Sequence, residues 1–266
     1  MLAAILKHWR LFWLMRRITL MQQLAYRGDF LTWSVIGLMW TTFNFFFFSL
    51  ILNVTGSIGG WSLHEVFVVV SIYSMLDALT WSFFYANMSA YTHDIFTGDL
   101  NYIFTKPFDH QFFLMTRFSH YNELPKFLVG LGVLIWSMRQ LSVPFSPVTL
   151  GLFAALSLAA VVFVYHLWFL ASTLAFYVDR LDNINYVVPT LRHIWQVPRT
   201  VYSGTVSLIV TVVVPVSLVT AIPSEVLLGR ATLGWVGYFL AVTLGLVWLS
   251  RRFFAFSVRR YTGAAS

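Results

Sequence analysis

The sequence predicts an all-α polytopic membrane protein. Only 10% of the 266 residues are charged, 59% are hydrophobic, and the mean hydropathy is +0.75. A soluble domain carries about 25% charged residues, so this chain has too little polar surface to fold in water. Its long uncharged segments lack the alternation of apolar and polar residues that a membrane β-strand requires. We therefore expect helices that cross a lipid bilayer.

Residues 1–27 predict an amphipathic helix that lies in the cytoplasmic interface of the membrane. Lys7, Arg10 and Arg17 lie opposite its apolar side, and Arg16 interrupts that side. A poorly ordered basic tail is the alternative. The apolar side comprises Leu2, Ile5, Leu6, Trp9, Phe12, Trp13, Leu20 and Leu24.

Residues 28–266 predict a membrane domain of six spans, because about 20 helical residues cross a hydrocarbon layer of about 30 Å. The third span is the weakest, since Lys126 must reach the surface or face protein. Pro215 and Pro223 divide the region 206–230, which predicts either a simple kink or a gate or re-entrant hairpin covered by protein. The six spans cover residues 30–52, 63–90, 119–138, 148–178, 200–222 and 232–250.

The distribution of basic residues predicts that both termini are cytoplasmic. Of the 17 Lys and Arg residues, all but Arg139 and Arg230 fall on the side of the termini. Cytoplasmic loops of membrane proteins carry such an excess. The net charge of +7 is therefore explained by topology and contact with anionic lipid, and not by nucleic acid binding.

The chain carries no motif for chemistry of its own. It has no GxxxxGK[ST] phosphate loop, no HExxH, no GxSxG and no cysteine, and its seven His are scattered. We therefore expect no catalytic residue, metal or cofactor in this chain, and any nucleotide chemistry must belong to a partner.

The segment 91–118 is the most informative cytoplasmic loop. Gly98 predicts a turn, Asp99 a cap for a short helix over residues 100–104, and Pro107 its end. Apolar side chains then line one side of that helix, either packed back on the membrane or interfacial helix or forming a docking surface for a soluble partner. They are Ile95, Phe96, Leu100, Ile103 and Phe104.

Asp77 lies near the middle of the second span, where an ionised carboxylate costs about 2.5 to 3.5 kcal/mol on insertion scales. We expect either a functional role or a hydrogen-bonded Asp that ties helices together through Asn44, Tyr73 or His166. The first reading makes the chain a secondary transporter or channel that uses Asp77 as an ion or proton site.

Four segments together resemble the ABC-2 type permeases whose ATPase is a separate chain. Each segment is weak alone, but their order against six spans is specific. The segments are 26–30 (YRGDF), 95–107 (IFTGDLNYIFTKP), 214–215 (VP) with 222–229 (IPSEVLLG), and 259–263 (RRYTG).

This resemblance implies a half-transporter in the prokaryotic cytoplasmic membrane. It implies two ATP-binding cassette subunits, which bind the ATP and Mg, and a second permease chain, identical or related. It also implies export. The many aromatic residues favour an amphipathic or lipid-like molecule as the exported cargo. A membrane anchor without transport is a further alternative. The implied coupling residues are Asp94, Ile95, Phe96, Gly98, Asp99, Leu100, Tyr102, Ile103, Phe104 and Pro107, and the implied outer gate contains Pro215, Pro223, Glu225 and Gly229.

Overall fold

The computed structural model describes residues 2–107, 109–144, 146–177 and 184–260, without the side chains of residues 2–8, 184 and 185. These residues form helices and no strand, which confirms the all-α prediction. The α-helices are α1 Leu2–Ala25, α2 Arg27–Thr55, α3 Leu63–Thr80, α4 Ala86–Thr97, α5 Leu100–Phe104, α6 His110–Thr116, α7 Leu124–Gln140, α8 Pro147–Thr173, α9 Ile184–Leu191, α10 Gly204–Leu208, α11 Leu218–Leu227 and α12 Leu233–Arg260.

The segment predicted to lie in the membrane interface is the helix α1, and it turns a polar stripe towards the protein. Arg16, Thr19 and Gln23 are wholly or partly buried, whereas Trp9 and Trp13 are more than half exposed. Residues three and seven positions apart share a helical face, so the stripe is continuous. The predicted apolar positions Leu2, Ile5 and Leu6 lie outside the described side chains.

The turn between α2 and α3 is built from glycine. Gly56 ends α2 at a φ of 73°, and its N–H donates to the carbonyl of Leu52 at 2.8 Å. Gly59 and Gly60 also have positive φ, which residues with a Cβ avoid. Ser62 and Glu65 then form a capping box that starts α3. We call the part of the molecule around residues 56–65 the Gly59 end.

The second predicted span is the centre of the fold. α3, a π-helical turn at Trp81–Tyr85 and α4 form one helix of 35 residues, Leu63–Thr97. In its apolar window 78% is buried, compared with 17% to 28% in the windows of α2, α8 and α12. At 1.5 Å per residue the helix is about 52 Å long, so it extends beyond a hydrocarbon layer of about 30 Å.

Four of the described helices are long and apolar enough to cross a membrane, or five if one bent pair counts as a span. The predicted count of six is therefore not confirmed. The third predicted span, α7, has only 17 residues. It packs closely on α3, because a Cβ added to Gly130 would lie 3.0 Å from the carbonyl oxygen of Ser71.

The fifth predicted span, 200–222, is not one helix. A bend of 85° separates Gly204–Val213 from Leu218–Leu227. Both ends of this bent pair lie at the Gly59 end, since the Thr200 hydroxyl donates to the Gly59 carbonyl at 2.8 Å and Arg230 pairs with Glu65. Residues 204–227 therefore form a hairpin that enters and leaves the helix bundle on one side; we call it the hairpin.

The segment 184–201 follows the second span instead. Tyr186 hydrogen-bonds to Tyr85, Arg192 to Asp77, and Gln196 to Tyr73, before Thr200 reaches Gly59. From residue 186 to residue 200, the hydrogen-bond partners of this segment thus lie progressively closer to the Gly59 end. This segment is irregular, with α9, two 3₁₀ turns at Arg192–Gln196 and Arg199–Val201, and proline at 189 and 198, so no uninterrupted apolar helix marks it in the sequence.

Candidate coupling and gating sites

The predicted coupling segment forms a sharp elbow at the end opposite Gly59; we call residues 94–107 the coupling elbow. Gly98 ends α4 in the left-handed region, with a φ of 83°, and its N–H donates to the carbonyl of Asp94 at 3.1 Å. The chain reverses there into α5, which ends at Phe104 before Pro107. The carboxylate of Asp99 does not cap α5 as predicted. It accepts a hydrogen bond from the Thr97 hydroxyl at 2.7 Å instead.

Most of the apolar side chains of the elbow point inward. Ile95, Leu100 and Ile103 are 6%, 0% and 6% exposed and belong to the main hydrophobic core together with Leu114 of α6. The docking-surface interpretation is therefore wrong for these three residues, because α5 is held back against the bundle. Burial of these side chains stabilises the packing of the elbow against the helix bundle.

The exposed tip of the elbow is aromatic and polar. Tyr102 is 68% exposed and Phe96 36% exposed, and the ammonium of Lys106 lies 3.9 Å from the centre of the Tyr102 ring. The Phe104 ring, half buried, contacts the ring of His110 at a centroid distance of 5.2 Å. Tyr102 and Phe96 are therefore the aromatic side chains of the elbow that are exposed to a partner.

Polar contacts that sequence reasoning missed hold the elbow in place. Arg117 pairs with Asp94, and Asn87 bonds both the N–H and the carbonyl of Phe118, at 2.9 Å each. From α1, Gln23 donates to the Ser119 carbonyl at 2.6 Å, and Arg16 to that of Phe118 at 3.1 Å. α1 and the elbow are thus tied to the same short loop, 116–119. The interruption of an apolar face by Arg16 was the available sequence signal.

The hairpin carries the gate residues predicted from the resemblance. Pro215 is buried in the bend between its two arms, as the predicted break at this proline requires. Pro223 does not interrupt the helix. It lies inside α11, which is buried, and its missing N–H removes only one backbone hydrogen bond there. Gly229, with a φ of 67°, follows the end of α11.

Glu225 holds the hairpin to the preceding segment. Its carboxylate accepts from both Nε and Nη2 of Arg199, at 2.6 and 3.3 Å, and the guanidinium lies 4.7 Å from the Trp235 ring. The prediction placed Arg199 with the basic residues of the termini, and this is wrong. A charge count cannot recognise a cation whose charge is neutralised by a buried carboxylate.

The sequence of this helical fold, compared with models of known families, matches one described as ABC-2 family transporter protein over residues 38–265. The chain belongs to the ABC-2 family of transporters. It is a membrane permease of an ABC transporter, and this family is not itself the ATPase but associates with an ATP-binding cassette partner. No curated protein and no solved structure matches the chain.

In this ABC-2 permease Asp77 lies in a buried charge cluster. It pairs with Lys126 of α7 and with Arg192 at 3.2 Å, and Lys126 also contacts Glu123 at 3.2 Å. The expected partners Asn44, Tyr73 and His166 do not hydrogen-bond to it in the described residues. Asp77 thus ties the second span to α7 and to the segment 184–201.

The other two polar residues predicted within the spans of the permease lie elsewhere. The amide of Asn44 donates to the carbonyl of Trp40 in its own helix at 2.9 Å, and His166 contacts the Ser250 hydroxyl at 2.6 Å, joining α8 to α12. Their separation means that Asn44, Asp77 and His166 are not one site. Among the described residues no three acidic or His side chains are arranged to hold a metal.

Proposed function

We propose that this permease exports an amphipathic or lipid-like cargo by alternating access, driven by two separate ATP-binding cassette subunits that dock on the coupling elbow. A second permease chain, identical or related, completes the transporter in a prokaryotic cytoplasmic membrane, with both termini in the cytoplasm. The ATPase subunits bind ATP and Mg.

The observation that carries this proposal is the continuity of the second span. One buried helix, Leu63–Thr97, runs from the Gly59 end to Gly98 of the elbow. Packed helices move as bodies between alternate arrangements and do not deform continuously. A displacement of the elbow therefore reaches the region of Glu65, which pairs with Arg230 just beyond the hairpin. The N–H of Arg230 in turn donates to the carbonyl of Glu225 at 2.7 Å.

The charge cluster extends this movement to neighbouring segments. Because Asp77 holds both Lys126 and Arg192, α7 and the segment 184–201 must follow the second span or break buried ion pairs. The same pairing argues against the alternative function. A carboxylate that already holds two cations offers no vacant position for a transported ion.

The amphipathic nature of the cargo is supported by the first span. Its exposed face carries large apolar side chains, among them Met39, Trp40 and Phe43, and begins beside the polar surface around Asp29. An apolar cargo body and a polar head would each meet matching protein surface here.

The test places a charge on the tip of the elbow. Tyr102→Asp removes an exposed aromatic ring that no core contact requires, so we expect normal folding and a loss of about tenfold or more in ATPase stimulation and transport, as for a hot-spot residue. The measurement is ATP hydrolysis and cargo uptake in vesicles that contain the purified complex.

The matched control is Val54→Asp, which introduces the same charge at an 88% exposed position of the Gly59 end. It should retain stimulation. Unchanged stimulation in Tyr102→Asp, together with chemical crosslinking of the ATPase only to the Gly59 end, would show that the elbow is not the docking element.

A further inference from the structure

A cleft of about 1180 Å³ opens beside the coupling elbow and is separate from the hairpin. Its walls come from α1, the first turns of α2, the π-helical turn and α4 of the second span, and residues 118–123. Its volume suffices for a drug-sized molecule or a lipid head with part of its chains. It lies where the interfacial helix meets the first span, which is the level of the lipid headgroups if α1 lies in the interface.

Aromatic rings form much of its wall. Phe30 and Trp33 face it from α2, and Trp81 and Tyr85, with ring centres 4.4 Å apart, from the second span. Arg192 already lies 5.1 Å from the centre of the Trp81 ring, so this aromatic pair stabilises a cation on one side. Aromatic faces attract organic cations, most strongly where water is partly excluded.

Two carboxylates line the cleft. Asp29 and Glu123 line it, and no Lys or Arg is among the lining residues. Glu123 is paired with Lys126, but among the described residues Asp29 has no ion pair and only accepts a hydrogen bond from the Trp33 indole at 3.0 Å. His120 also lines the cleft.

We propose that this cleft binds the ammonium head of an amphiphile from the adjoining membrane leaflet. Asp29 provides the counter-charge, and the rings of Trp33 and Tyr85 surround the head. The apolar body extends along the exposed face of α2. This binding requires neither the ATPase nor transport, so it can be tested on the permease alone.

Two kinds of molecule carry such an ammonium head: an aminophospholipid of the bilayer and a soluble amphiphilic cation. The first arm uses native mass spectrometry of the permease released from nanodiscs that hold equal amounts of phosphatidylethanolamine and phosphatidylglycerol. The second arm measures binding of dodecyltrimethylammonium to the permease in phosphatidylglycerol nanodiscs, with an uncharged dodecyl amphiphile as the reference probe.

The discriminating variant is Asp29→Asn, which retains an acceptor for the Trp33 indole but removes the charge. We expect it to weaken dodecyltrimethylammonium binding about tenfold and to leave the uncharged probe unaffected. Ala90→Phe, which places a ring in the cleft, should weaken both probes. Asp99→Asn on the elbow removes an equivalent charge outside the cleft and should change neither.

If the permease retains phosphatidylethanolamine and this retention depends on Asp29, the natural ligand is the lipid. If only the soluble cation binds in a way that depends on Asp29, the natural ligand is a soluble amphiphile. The proposal is wrong if phosphatidylglycerol is retained in preference. It is equally wrong if Asp29→Asn binds the cationic probe as tightly as the unaltered permease does.

Discussion

Asp77 shows how a single residue can be recognised from sequence while its role cannot. Its position in an apolar span marks it as costly and therefore important. Its partners, Lys126 and Arg192, are 49 and 115 residues away along the chain, and no local pattern connects them. Only the packing of three segments brings the charges together.

We predict that Asp77→Asn destabilises the permease by roughly 3 kcal/mol. The substitution preserves the shape of the side chain but leaves Lys126 and Arg192 without their common counter-charge in the protein interior, and removing one partner of a buried pair has this order of effect. Thermal unfolding of the purified permease in detergent measures the change.

Two variants control this measurement. Asp99→Asn removes an exposed carboxylate and should leave the unfolding temperature within a degree or two. Adding Lys126→Met to Asp77→Asn removes one of the unpaired charges and should recover part of the loss. Equal stability of Asp77→Asn and the unaltered permease would mean that the cluster does not hold the segments together.

Among the helical elements, hydropathy predicts those that are long and uninterrupted. The predicted spans 30–52, 63–90, 148–178 and 232–250 each lie largely within a long apolar helix. The fifth was misplaced because the chain runs beside the second span as short helical pieces between prolines, with Arg192 and Arg199 neutralised by acids distant in sequence. The length of an uncharged run of residues therefore does not identify a segment of this kind.

At the coupling elbow the local chemistry was predictable and the packing was not. Gly98 and Pro107 act locally through backbone conformation, so the turn and the end of α5 follow from the sequence. The directions of Leu100 and Ile103 depend on Leu114 and on helices distant in sequence, which a helical pattern of five residues cannot specify.

A close helix contact provides the next prediction. Gly130→Leu should weaken packing of α7 on α3 by about 1 to 3 kcal/mol, because even a Cβ there would lie within 3.2 Å of Ser71, Ser74 and Met75. Gly132→Leu on the same helix, where a Cβ would meet nothing within 4 Å, is the matched control. Thermal unfolding should separate the two, and equal tolerance of both would contradict the packing described here.

For the whole molecule, the central question is how two ends about 50 Å apart communicate. Both the elbow and the hairpin are joined to the second span: the elbow through Gly98, and the hairpin through α11, which packs on α3, and through the Glu65–Arg230 pair just beyond its end. If the hairpin is the gate, movement of the second span must change the contact between the two when the gate opens. Sequence analysis indicated both sites, and the structure supplies the helix that joins them.

We predict that fixing the hairpin to the second span stops transport and leaves the ATPase bound. The chain contains no cysteine, so Glu65→Cys with Arg230→Cys introduces a single reactive pair between the second span and the residue just beyond the hairpin. A cleavable bismaleimide across this pair should abolish cargo movement in vesicles and reduce stimulated ATP hydrolysis, and cleavage of the reagent should restore both. Each single cysteine variant treated with the same reagent should remain active, since modification alone links nothing. Full transport by the crosslinked permease would show that the hairpin and the second span move as one body, and the gate would then have to lie elsewhere.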